Sequence, residues 1–235
     1  MKRKLYLWCL SVGLLVVLSG CNLVFSEEVM EEEIKIEAGQ AEELNVDLDM
    51  GAGKLIVKGG AEDWLNGKFR YSDKKLDPDV SYNQDQGQIR IDQSKVNFNY
   101  GKDTENEWDL QLTNNIPIEL DVTTGASKTE LNLEGIHLNR LNIDSGVGKL
   151  TVDLSGEWEQ SFDVNVESGV GKTTFILPSD QGVKIKSESG IGTTSFEGFI
   201  SKGDGIYVNE AYGKSDVTIE INADVGVGKT VFKKE

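Results

Sequence analysis

Several short motifs in this chain carry the residue types of known chemistries. Gly-Lys-Thr occurs twice, at residues 171–173 and 228–230. A phosphate-cradling loop also needs a glycine five positions earlier and a helix whose N-terminus meets the phosphates. Those positions hold Val166 and Ala223, and strand-like alternation follows instead of a helix. A nucleotide site is therefore rejected. Lys202-Gly203-Asp204-Gly205-Ile206-Tyr207 has the flavour of glycine-aspartate calcium repeats, but such sites need several stacked copies. Asp47-Leu48-Asp49 lacks the remaining ligands of a calcium-binding loop. His137 is the single histidine and has no recognisable nucleophile motif beside it. Glycan cleavage requires only two or three carboxylates, yet the acids here fall into repeating columns. No catalytic residue, metal ligand or cofactor is assigned.

Charge narrows the partners. Against 24 Lys and Arg stand 40 Asp and Glu, a net charge of −16. A chain this acidic is a poor ligand for nucleic acid or anionic headgroups. Hydrophobic residues make up 38% of the sequence, enough for a modest core. Glycine is frequent and proline scarce, 26 residues against 3, which favours many tight turns over a low-complexity linker.

Cys21 is the one residue whose setting predicts covalent chemistry. Lys2, Arg3 and Lys4 precede an apolar run from Leu5 to Leu18, shorter than a membrane-spanning helix and suited to a secretory signal. The run ends in Leu18, Ser19, Gly20 and Cys21, which resembles the bacterial lipobox. Residues 1–20 are read as a lipoprotein signal peptide, with Cys21 lipidated and anchored on the extracytoplasmic face of the cell membrane. Cys9 leaves with the signal, so no disulfide framework can form. Residues 21–33, with Glu27, Glu28, Glu31, Glu32 and Glu33, read as a solvated acidic tether.

The elements behind these motifs emerge from a six-fold repeat of apolar alternation, glycine-small-glycine-lysine, and alternation again. Its corners are Gly51/Gly53, Gly125 (with Ser127), Gly146/Gly148, Gly169/Gly171, Gly190/Gly192 and Gly226/Gly228. The first glycines are 74, 21, 23, 21 and 36 residues apart, a spacing of stacked supersecondary units. The apolar phase slips by one residue at each corner: Leu141, Ile143 and Ser145 are odd, whereas Leu150, Val152 and Leu154 are even. Because a strand has period two, the slip predicts a fixed bend at the second glycine. It also places the residue between the glycines toward the core. Lys follows the corner in five copies, and acids stand two residues before it at Asp49, Asp144, Glu167, Glu188 and Asp224. The two columns are expected to offset one another's self-repulsion.

The predicted fold is all-β, a repetitive β-solenoid or stack of β-hairpins with Gly-x-Gly corners and a rib-like form. Residues 34–115 form an irregular N-terminal β section, with a turn at Asp85-Gln86-Gly87, and residues 116–235 the regular section. Trp64, Trp108 and Trp158, with Tyr71, Tyr82, Tyr100 and Tyr212, are assigned to core and caps rather than to a sugar groove. Phe199 to Tyr207 reads as a longer loop and the contact region.

The lipobox, Asn106-Glu107-Trp108-Asp109-Leu110, Asn114-Asn115-Ile116-Pro117, the glycine corners and Ala211-Tyr212-Gly213-Lys214-Ser215-Asp216-Val217 resemble the toast-rack lipoproteins. These are related to LiaF-like "cell wall-active antibiotics response" domains. The resemblance implies a β-rich, rib-like extracytoplasmic domain and, through the LiaF-like relatives, a part in sensing or damping envelope stress, and it supplies no catalytic residues to carry over. This chain lacks the multi-helix membrane region of those relatives. The expected function is a non-enzymatic surface lipoprotein contacting another envelope protein, with the membrane reached only through its lipid. The alternative is a structural or adhesive protein that binds wall polymer or its own copies.

Overall fold

The computed structural model describes residues 29–93 and 104–235. Its strands are β1 (Met30–Ile36), β2 (Leu44–Ala61), β3 (Leu65–Tyr71), β4 (Asp79–Asn83), β5 (Gln88–Asp92), β6 (Asn106–Thr113) and β7 (Ile118–Asn132). They continue with β8 (Leu138–Asp153), β9 (Phe162–Leu177), β10 (Gly182–Glu197), β11 (Ile200–Gly203), β12 (Ile206–Val208) and β13 (Thr218–Lys234). The lipobox, Cys21 and Tyr100 lie outside the described residues. Glu31, Glu32 and Glu33, assigned to the tether by sequence, stand in β1 opposite Arg70, Phe69 and Lys68 of β3, so the ordered sheet begins inside that stretch.

The long strands β2, β7, β8, β9, β13 and β10 lie side by side in that order, all parallel and in register. A straight 15-residue strand would run about 50 Å. Yet residues 133–137 carry the chain from the end of β7 back to the start of β8 beside Ile118. Five linking residues reach about 20 Å at most. Each long strand must therefore fold back on itself at its glycine corner, and each repeat is one coil of a solenoid. That geometry decides between coils and separate hairpins.

The inward residues of both arms fill one core. On the outgoing arms Val46, Leu120, Leu141, Val164, Ile221 and Ile185 stack as a column, all at most 1% exposed. On the returning arms the column is Val57, Leu131, Val152, Phe175, Phe232 and Phe196. Its C-terminal end is aromatic. Phe175 stacks on Phe232 at 4.9 Å and Phe232 on Phe196 at 5.1 Å. Near the corner the interior turns to hydroxyls, with Ser127 bonded to Thr129 at 2.8 Å and Ser168 to Thr173 at 3.1 Å, while the matching Ser189–Thr194 pair of the edge coil β10 is exposed.

Sequence order and stacking order part company at the last coil. β13 inserts between β9 and β10. The chain leaves β10, forms the β11–β12 hairpin against its outer edge, and returns through 209–217 to fill the inner slot. The stretch expected as a longer loop is thus a hairpin that caps the end of the stack. Tyr207 stacks on Phe196, Val208 is buried, and buried Asn209 holds the amides of Val183 and Tyr212 and the carbonyl of Gln181. At the other end, β2 receives β6, β3 and β1 on its returning arm and β5 and β4 on its outgoing arm. Asp85-Gln86-Gly87 makes the β4–β5 turn. Trp64, Trp108 and Trp158 are all buried, as a core and cap role requires.

Candidate contact surface

Each corner is built from backbone before side chains. The second glycines Gly53, Gly148, Gly171, Gly192 and Gly228 hold φ between 140° and 151°, a region open to glycine and costly for other residues. Stacking tightens the requirement. A Cβ on Gly171 would lie 1.9 Å from the Gly148 carbonyl oxygen, and one on Gly228 would lie 1.9 Å from that of Gly171. Close approach of neighbouring coils and the fold-back therefore impose the same residue. β7 departs from this pattern: Ser127 stands at the second position and its hydroxyl bonds Thr129 at 2.8 Å.

The residue between the glycines behaves differently from its predicted inward orientation. Val147, Val170, Val227 and Ile191 are 54%, 47%, 43% and 77% exposed, and Ala126 is exposed as well. The period-two phase pointed these residues at the core, but at the apex of a fold-back no opposing sheet remains to cover them. They stack in register as Ala52, Ala126, Val147, Val170, Val227 and Ile191, an apolar ridge along one edge of the solenoid.

Charged rows flank the ridge. The outgoing arms present Asp144, Glu167, Asp224 and Glu188, all exposed, and the returning arms present Lys128, Lys149, Lys172 and Lys229. The expected cross-column pairing does not form. Lys54 bonds Glu107 at 3.0 Å and Lys128 bonds Glu130 at 2.8 Å on their own side of the corner. The Lys128 hydrogen bond holds the Glu130 carboxyl below its ordinary range. The fold-back explains this: the two columns face outward from opposite arms, with the ridge between them. Among the described residues, Asp144, Glu167, Asp224, Lys149, Lys172 and Lys229 make no ion pair.

A second outward row lies four residues before each first glycine and went unread in the sequence. Asn142 donates to Asp121 at 2.6 Å, Asn165 to Asn142 at 2.9 Å, and Asn222 to Asn165 at 3.2 Å. The row continues to Asp47 on one side and Lys186 on the other. Arg90 closes its N-terminal end, bonding Asp47 at 2.7 Å and Asp92 at 3.1 Å. Recurrence of Asn or Asp at a fixed offset was its signal. Beside this row, Asp49 has its carboxyl raised above the ordinary range, first by burial and then by the Asp92 charge.

The remaining sequence candidates scatter. His137 is half-buried in a cleft with Pro117, Trp158 and Gln160, and its carbonyl accepts the Ile118 amide at 2.7 Å. Lys202 to Tyr207 spans the β11–β12 turn, where Asp204 takes φ 52°. Among the described residues no cluster of three or more His, Cys, Asp or Glu is placed to hold a metal ion. No described helix is long and apolar enough to cross a membrane.

An all-β solenoid with glycine corners and a periodic, uninterrupted outer surface defines the class. The profile of the N-terminal domain of toast_rack matches residues 25–176, and the chain belongs to the toast-rack family. It is similar to the crystal structure of a candidate cell adhesion protein from Clostridium sporogenes, at 36% identity and a TM-score of 0.84, over 88% of this chain and 100% of that one. A candidate adhesin from Bacteroides fragilis matches at 13% identity and a TM-score of 0.36, over 87% and 98% of the two chains. No curated protein matches.

Proposed function

We propose that this chain is a non-enzymatic contact scaffold of the bacterial cell surface, held on the outer face of the membrane by lipid on Cys21. Its partner is another envelope protein, one that senses or regulates the response to wall stress. The observation that carries the contact role is the 36% identity, over 88% of this chain and the whole of the other, to a protein named for cell adhesion. The Leu18-Ser19-Gly20-Cys21 motif supports the anchor, and the LiaF-like resemblance supports the stress connection.

The test is crosslinking of the intact lipoprotein in cells, with and without a wall-targeting antibiotic, followed by identification of what is captured. Drug-dependent capture of a membrane sensor or its regulator is the expected result. The adhesion name also supports a second, adhesive reading, for which we propose wall polymer as the ligand. Capture of polymer alone, unchanged by the drug, would establish that reading and overturn the first.

A further inference from the structure

The glycine-corner edge is unlike the rest of the surface. Four large apolar side chains, Val147, Val170, Val227 and Ile191, stand in line and exposed, where a soluble β protein ordinarily presents polar residues. An acidic row lies on one shoulder and a lysine row on the other. Within each row, like charges repeat at the strand spacing of about 4.8 Å and repel. In the central coils β8, β9 and β13, the three acids and three lysines lack ion-pair partners among the described residues.

We propose that this edge binds a second copy of the chain, the two solenoids lying edge to edge and parallel. Symmetry selects the arrangement. A two-fold axis parallel to the ridges brings ridge against ridge and exchanges the shoulders. The acids Asp144, Glu167 and Asp224 of one copy then meet the lysines Lys149, Lys172 and Lys229 of the other, along both seams. A two-fold axis across the ridges would set acid against acid and lysine against lysine. Such isologous contacts are self-complementary by construction. The ridge spans six strands, about 24 Å, so the contact falls short of the roughly 1,600 Å² of a standard stable interface. The dimer is weak and salt-sensitive. This inference is independent of the envelope partner proposed above, because it concerns only the ridge and its shoulders.

Disulfide capture on the full chain in membranes of the expression host tests it, with the parent chain, which keeps Cys9 and Cys21, as control. Ala126→Cys and Ile191→Cys should each crosslink to themselves, and the yield should fall at least twofold between about 0.05 and 0.5 M salt as screening tightens. Reversing the lysine row (Lys149→Glu, Lys172→Glu, Lys229→Glu) should abolish crosslinking of that variant to itself. Reversing the acid row (Asp144→Lys, Glu167→Lys, Asp224→Lys) should do the same. Mixing the two reversed forms, each carrying Ile191→Cys, should restore it. All six positions are exposed, and an unchanged far-UV circular dichroism spectrum checks that both forms fold. Crosslinking of Ala126→Cys only to a Val227→Cys copy would mean an antiparallel pair and overturn the proposal. So would absence of any self-crosslink above the control.

Discussion

The Ser168 Oγ and Thr173 Oγ1 atoms lie 3.1 Å apart, although the four residues of a glycine corner separate them along the chain. One is the last inward residue of the outgoing arm of β9 and the other the first of its returning arm. Their contact marks the point where the interior closes and the next residues leave it. Val170 sits beyond that closure, which is why an apolar residue at the phase of the core ends up in solvent.

The corner glycines differ in what they tolerate. Gly171 combines φ 147° with a Cβ position 1.9 Å from the Gly148 carbonyl oxygen. Gly171→Ala should therefore cost more than about 3 kcal/mol, combining backbone strain with separation of two coils. Gly203 has φ 90° but open space around its Cβ position. Gly203→Ala should cost only about 1 kcal/mol. Urea unfolding of the two variants measures the difference, and equal losses would contradict the stacked-carbonyl account.

Phe232 is fully buried between Phe175 and Phe196. Phe232→Ala removes the middle of this stack and should destabilise by about 3–5 kcal/mol. Because β13 is the strand between β9 and β10, the loss should also raise hydrogen exchange across both neighbours. Exchange confined to β13 would show that the coils do not support one another.

The asparagine row predicts a smaller effect. Asn165 donates to Asn142 and accepts from Asn222. Asn165→Ala breaks both bonds on an exposed surface, at a cost of about 0.5–1.5 kcal/mol. Asn165→Asp keeps an acceptor for Asn222 but sets a carboxylate facing the Asn142 oxygen, so it should not recover the loss. Thermal melts of the two variants would separate a donor requirement from a mere need for polarity.

Asp49 gives a pH signature. Burial and the neighbouring Asp92 charge raise its carboxyl pKa in the folded state. A raised carboxylate pKa means that the folded state binds the proton more tightly than the unfolded one, so ionisation of Asp49 works against folding above that pKa. Asp49→Asn should raise Tm by about 1–3 °C at pH 7 and leave it unchanged at pH 3, where the native carboxyl is already protonated. Glu130 has the opposite sign. Its lowered pKa stabilises the fold above the ordinary carboxylate range, and that contribution fades as pH falls through the lowered value. Glu130→Gln should therefore lower Tm at pH 7 and have no effect at strongly acidic pH.

Much of this molecule follows from local residue order. The class of fold, the six corners and the inward residues of both arms could be read from period two and its one-residue slip, because side-chain alternation is a property of each strand alone. Leu141, Ile143, Leu150 and Val152 are all buried on that rule. The column four residues before each corner was equally available. Other features required the tertiary structure. The exposure of Val147, Val170, Val227 and Ile191 depends on where the opposing arm ends. The insertion of β13 between β9 and β10 depends on which edge the β11–β12 hairpin leaves open. The separation of the acid and lysine columns depends on the fold-back that puts them on opposite arms. Alternation fixes the side of a strand on which a residue stands, but what covers that side is decided by chain segments distant in sequence.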